Sequence, residues 1–266
     1  MDFRQRKGIY GMRYNRIVDL SQPIIHGGGF GRPARITYSD HRSRGKALAD
    51  QLGIDPKDFD HKTNNMEEFS FLTTHTGTHF DSPWHYTETV QGEPALTIDQ
   101  VPLEWCFGPG IWLDLSHKAP GEDITTEDIQ GAVTNIDHTI RPRDIVLIKT
   151  GAGACYGQDY CDNMNAGMTR EATLWLADQG VRLVGIDACC WDRPPQLQIE
   201  SLKKGERKGR YMEGHRAAGE RGMCILEWLT NLDALPHYGF TVYAFPVKIE
   251  RAGGSWVRVV AIVEGD

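Results

Sequence analysis

The chain has 266 residues, 40% of them hydrophobic and 24% charged, an ordinary globular composition with enough apolar material for a sizeable core. A formal net charge of -7 argues against a general nucleic-acid binder. No run approaches the length of a membrane span, and the basic start MDFRQRKGIYGMRYNR lacks the apolar core of a signal peptide, so a cytoplasmic protein without a membrane partner is expected.

Residues 1–16 are polar and irregular and read as an arm ahead of a single domain over 17–266. Ile17-Val-Asp-Leu20 reads as a short strand stopped by Ser21-Gln-Pro23. Gly27-Gly-Gly-Phe-Gly31 is not followed by Gly-Lys-Ser/Thr, so it reads as a flexible loop able to cover a site rather than as a phosphate loop. A helix is predicted around Gly45 to Leu52, an extended stretch over Glu67 to Pro83, and loop with weak helix over Thr87 to Glu104. Ile111 to Leu115 reads as a strand, and Thr125-Thr-Glu-Asp128 as a capping box that starts a helix running to about Asn135. The near-continuous apolar runs Asp144 to Lys149 and Val181 to Asp187 read as buried central strands. Between them, Thr169 caps a helix over Arg170 to Gln179 that stops at Gly180. Residues 192–212, basic and marked by prolines, read as a long loop. His215 opens a helix-compatible turn, Cys224 to Leu229 is a strand, and Phe240 to Ile249 and Trp256 to Glu264 form a hairpin across Ala252-Gly-Gly254. Together these elements predict a mixed-sheet α/β domain in which the sheet dominates. None of the six cysteines forms a C-x-x-C pair, and Cys189-Cys190 read as buried thiols rather than a disulfide.

One stretch carries the chemistry. His75-Thr-Gly-Thr-His79-Phe-Asp81-Ser-Pro-Trp-His85 places polar groups at 75, 79, 81 and 85, all on one face of an extended chain. Six residues at about 3.3 Å each span too far for one ion bonded at about 2.1 Å, so the segment must bend, at Gly77 and at Ser82-Pro83. The Thr-rich run and Pro83 disfavour the alternative of a helix with histidines at i and i+4, and no H-E-x-x-H motif is present. Imidazoles and a carboxylate facing one point suit a divalent cation. His215 and Glu227 are candidates to complete the site, since Glu227 sits in the apolar strand Ile225-Leu-Glu-Trp-Leu229, where an unpartnered carboxylate is costly.

The H-x-G-T-H-x-D-x-P-x-H signature from His75 to His85, with Asp19-Leu-Ser21, Gly185-Ile-Asp187, the pair His215 and Glu227, and Asn231-Leu-Asp233, resembles the cyclase family of metal-dependent hydrolases, which includes bacterial kynurenine formamidases and isatin hydrolase. The resemblance implies a mixed β-sheet, barrel-like core with peripheral helices (swivelling β/β/α), assembled as a homodimer or homotetramer. It implies that His75, His79 and Asp81 are ligands of a first metal. His215 and Glu227 then complete a second site, with Asp81 and Glu227 shared between the ions. Zinc or manganese, one or two ions per chain, is the implied cofactor. His85 is implied as the catalytic acid/base, its alternative being an ordinary ligand. Such an ion lowers the pKa of a bound water from about 15.7 towards 7. A neutral imidazole beside it can carry the proton to a leaving nitrogen.

The implied activity is hydrolysis of the C–N bond of a small amide, an aryl formamide or a cyclic amide. The rival readings are a cyclase or lactonase using the same site, and a metal-stabilised binding protein. The chain departs from the compact formamidases at 1–15, about 28–66 and 192–212; the last two would bracket the site and reshape its pocket for a different small-molecule substrate. Phe30, Trp84 and Trp191 are candidate aromatic walls, with a core role equally open for the two tryptophans.

Overall fold

The computed structural model describes residues 14–28, 33–158, 161, 164–206 and 210–264. Most of the predicted arm therefore lies outside the described residues, and its last residues already belong to the first strand. In chain order the strands are β1 (Tyr14–Asp19), β2 (Arg35–Ser39), β3 (Met66–Ser70), β4 (His79–Asp81), β5 (Thr89–Val90), β6 (Glu93–Pro94), β7 (Phe107–Asp114), β8 (Asp123–Ile124), β9 (Ile145–Lys149), β10 (Gly167–Met168), β11 (Leu183–Ile186), β12 (Cys224–Glu227), β13 (Phe240–Tyr243), β14 (Gly254–Trp256) and β15 (Val260–Glu264). The helices are α1 (His41–Leu52), α2 (Thr126–Asn135), α3 (Arg170–Asp178), α4 (Pro195–Lys203) and α5 (Glu213–Arg221).

Nine strands form one sheet in the order β1-β15-β13-β7-β9-β11-β12-β4-β14. Its centre, β7-β9-β11-β12, is parallel, and both flanks are antiparallel. The sheet curls into a half-barrel, because the chain leaving β1 reaches the segment that follows β12: Ser21 bridges Leu229, and Thr230 N–H donates to Leu20 O at 3.0 Å.

The central strands are apolar on both faces, and each face fills its own core. Val146, Ile148, Val184, Ile186 and Ile225 face the helix side, against Ile129 of α2 and Leu176 of α3. Ile145, Leu147, Leu183 and Leu226 face the concave side, with Phe80, Trp112, Val242 and Ala261. The capping box of α2 forms as its sequence predicts: Thr125 N–H donates to Asp128 Oδ2 at 2.8 Å, and Asp128 N–H to Thr125 Oγ1 at 3.3 Å. Thr169 caps α3 through Ala172 N–H.

Two expectations change, and one covalent link is new. Residues 192–212 are not a loop throughout, because α4 begins at Pro195, a first-turn position where proline needs no N–H partner. The terminal strands pair as β13 with β15, but the segment between them leaves to add β14 to the far side of β4. Cys155 and Cys161 are joined in a disulfide, a pairing not read from the sequence; Cys106, Cys189, Cys190 and Cys224 are not disulfide-bonded.

Candidate metal centre

The antiparallel pairing of β4 with β12 sets Asp81 opposite Ile225 and His79 opposite Glu227. Phe80 and Leu226 between them turn to the concave core, so His79, Asp81 and Glu227 share the helix-side face. Glu227 is thus not on a solvent face: it is 4% exposed, beside buried Ile225. The bends fall where the sequence places them. Gly77 has φ +68°, which returns His75 towards β4, and Pro83–His85 is a 3-10 turn that carries His85 to the same side.

On the other flank β14 runs beneath the cluster. A Cβ at Gly254 would stand 2.5 Å from His75 Cε1 and 3.0 Å from Asp81 Oδ1, so the missing side chain makes the room. Gly253 O accepts from Ser82 N–H at 2.8 Å and fixes the start of the His85 turn.

The second half arrives from β11 and α5. Asp192 accepts Gly214 N–H at 2.7 Å and His215 N–H at 3.0 Å, capping the open N-terminus of α5. The same carboxylate lies 2.5 Å from His215 Nδ1. That contact leaves Nε2 to face Glu227 Oε1, 3.4 Å away. His79 is set the same way: Nδ1 lies 2.9 Å from Gly77 O, and Nε2 points inward, 3.3 Å from Glu227 Oε2 and 3.7 Å from Asp81 Oδ1. His75 Nδ1 lies 2.9 Å from Asp81 Oδ1.

These residues fit a cation. His79 Nε2 and both Asp81 oxygens are buried and have no hydrogen bond among the described residues, which is costly unless an ion takes their lone pairs. Ligand atoms about 2.1 Å from a common ion stand roughly 3.0–3.4 Å apart at octahedral to tetrahedral angles, and the separations here bracket that range. The electrostatics agree. Burial alone would lower the His79 pKa, but the Asp81 and Glu227 carboxylates raise it to about 9. Burial opposes the Asp81 charge, yet His79, His85 and His75 hold its carboxyl well below the usual range. Carboxylates that stay ionised and hold a proton on His79 in this way would equally attract a cation in its place. Three groups among the described residues could hold a metal: His75, His79 and Asp81; Asp81, His85 and His215, which keeps the reading of His85 as a ligand open; and Cys190, His215 and Glu227.

Above the cluster opens a cavity of about 550 Å³. His75, His79, His85, His215 and Glu227 line its polar side, and Thr73, Tyr86, Pro195, Tyr211, Met212 and Trp228 most of the rest. Of the two segments expected to bracket the site, 192–212 contributes to the wall, whereas no described residue of 28–66 does. Phe30 lies outside the described residues. Trp84 is 44% exposed and does not line the cavity. Trp191 is fully buried in the helix-side core, its indole N–H donating to Thr173 Oγ1 at 3.0 Å. It serves the site through its backbone, whose N–H donates to Glu227 Oε1 at 2.8 Å.

Sequence reasoning missed Asp192, Cys190, the close approach at Gly254, and Trp228. Trp228 turns the chain after Glu227 at φ +57°, with its carbonyl accepting from Thr78 Oγ1. Asp192 had a signal, an acid closing an apolar run before Arg193-Pro-Pro195. Nothing local paired it with a histidine 23 residues later.

The family model described as "Putative cyclase" matches residues 18–193. Among solved structures, isatin hydrolase A from Labrenzia aggregata is 25% identical, with 94% of each chain covered and a TM-score of 0.72. Isatin hydrolase A from Ralstonia solanacearum is 24% identical over 94% of this chain and 92% of its own, with a TM-score of 0.75. A potential metal-dependent hydrolase with cyclase activity is 22% identical over 94% of this chain and 99% of its own, with a TM-score of 0.64.

Proposed function

Because the chain belongs to the cyclase family, we propose that it is a metal-dependent hydrolase that opens the C–N bond of a small amide, an aryl formamide or a cyclic amide. The observation that carries this reading is the set of buried ligand atoms without a hydrogen bond among the described residues, His79 Nε2 in the cavity lining and both oxygens of Asp81 buried behind it. His75, His79 and Asp81 would hold one cation, with His215 and Glu227 at the adjoining position. A zinc or manganese ion there would supply Lewis acidity towards a carbonyl and acidify a water.

The chain's own groups do the rest. His85 stands beside the ligands, its ring centroid 4.2 Å from that of His75 and 6.0 Å from that of His215. Although the His85 side chain is exposed on the cavity side, desolvation by the rings packed around it, reinforced by His75 and His215, holds its pKa below the ordinary imidazole value despite Asp81 and Glu227. It is therefore neutral near neutrality, and a ring nitrogen can take a proton from a water in the cavity and pass it to the leaving nitrogen. Arg216, also at the wall, offers a guanidinium to the carboxylate that amide hydrolysis releases. The largely apolar walls exclude bulk water from a flat ring. The isatin hydrolase of Labrenzia aggregata, at 25% identity, favours a cyclic amide among the candidates.

The test is His85→Ala. The variant should keep its bound cation and lose about 10²–10⁴-fold in kcat/KM on amides. A variant that loses the cation instead makes His85 a ligand. Lactones turned over in preference to amides by the unaltered protein would point to a lactonase.

A further inference from the structure

We propose that Cys190 Sγ, His215 Nε2 and the Glu227 carboxylate form a second cation position with a thiolate ligand, one that takes zinc in preference to manganese. The proposal rests on the metal-dependent reading of the site and adds a ligand and a metal preference to it.

A buried cysteine is ordinarily a small apolar filler. Cys106 and Cys224 behave so, packed within the concave core. Cys190 is just as buried, at 4% exposure, yet it belongs to neither apolar core. Its neighbours are the polar groups of the centre, and its Sγ, a His215 nitrogen and a Glu227 oxygen all lie within 4.8 Å of one another. His215 is prepared to ligate: Asp192 occupies its Nδ1, fixing the ring and directing Nε2 inward. Glu227 is placed to serve both positions, Oε1 lying 3.4 Å from His215 Nε2 and Oε2 3.3 Å from His79 Nε2. The unpartnered His79 Nε2 marks the seam between the two halves.

The two positions differ in chemistry. His75, His79 and Asp81 offer nitrogen and oxygen donors that suit zinc or manganese alike. Thiolate sulfur is soft and favours zinc. On binding, the Sγ–H bond breaks, its proton leaves to solvent, and a sulfur–cation bond forms; no oxidant or reductant is needed.

Cobalt(II), a spectroscopic stand-in for zinc, tests this on the cation-free full chain. The expected result is two equivalents bound, with a thiolate-to-cobalt charge-transfer band in the near ultraviolet. Cys190→Ser should lose that band and one equivalent, while Cys189→Ser keeps both. X-ray absorption at the zinc edge of the unaltered protein needs no variant to fold, and should find a sulfur scatterer at about 2.3 Å. Two bound cations with no band and no sulfur scatterer, or a band that survives Cys190→Ser, would overturn the proposal. A band from Cys190 in a protein that hydrolyses no amide would overturn the hydrolase reading and leave this one standing. No cation bound at all would overturn both.

Discussion

His79 shows what separates a ligand from a satisfied core histidine. Its Nδ1 is occupied by Gly77 O, while its Nε2 is buried without a hydrogen bond among the described residues, facing the Glu227 and Asp81 carboxylates. The spacing of His75, His79, Asp81 and His85 was legible in the sequence because a bent strand places alternate residues on one face. Asp192 was not legible, because its role depends on where α5 docks. Asp192→Asn keeps a similar shape but weakens its hold on His215 Nδ1. A loss of about 10–100-fold in affinity at the His215–Glu227 position is expected in a metal titration, with the circular dichroism spectrum unchanged. The pH profile follows from His85. Its pKa is lowered, so activity requiring the neutral ring should persist down through about pH 6.5 and fall only as pH drops through the lowered value. A cation bound beside it acts in the same direction. An acid limb above pH 6.5 in kcat/KM would contradict this assignment.

At the scale of elements, periodicity and caps located α2, α3 and the central strands β9 and β11, because these carry their signals within a few residues. The prolines of 192–212 misled: Pro195 is a helix start, and its neighbourhood becomes α4 and part of the cavity wall. Ala252-Gly-Gly254 misled differently. Its glycines mark close packing under the metal centre, at a strand joined to β4, not the tip of a hairpin. Gly254→Ala tests that reading. A Cβ 2.5 Å from His75 Cε1 must displace the imidazole, so cation affinity and kcat/KM should fall together while the fold persists. Unchanged cation binding would mean that His75 yields without cost.

At the scale of the molecule, the pairing of β4 with β12 and the docking of α5 on Asp192 bring residues 75–85 against 190, 215 and 227, and no local signal predicts that meeting. The half-barrel itself follows from the family resemblance better than from periodicity, since apolar runs alone do not say how far a sheet curls. Among the described residues, no helix is long and apolar enough to cross a membrane. Burying Asp81 and Glu227 without a cation is costly, so chelation should lower thermal stability. With free cation at about 100 times its Kd, the loss is about 2.7 kcal/mol, or roughly 5–10 °C in Tm. The most direct test follows cation content and amide hydrolysis in one preparation while a chelator is titrated and the cation then restored. The predicted result is hydrolysis of an aryl formamide or cyclic aryl amide that falls in step with bound cation and returns on reloading. Full hydrolysis by the cation-free protein, or none by the fully loaded one, would contradict the account.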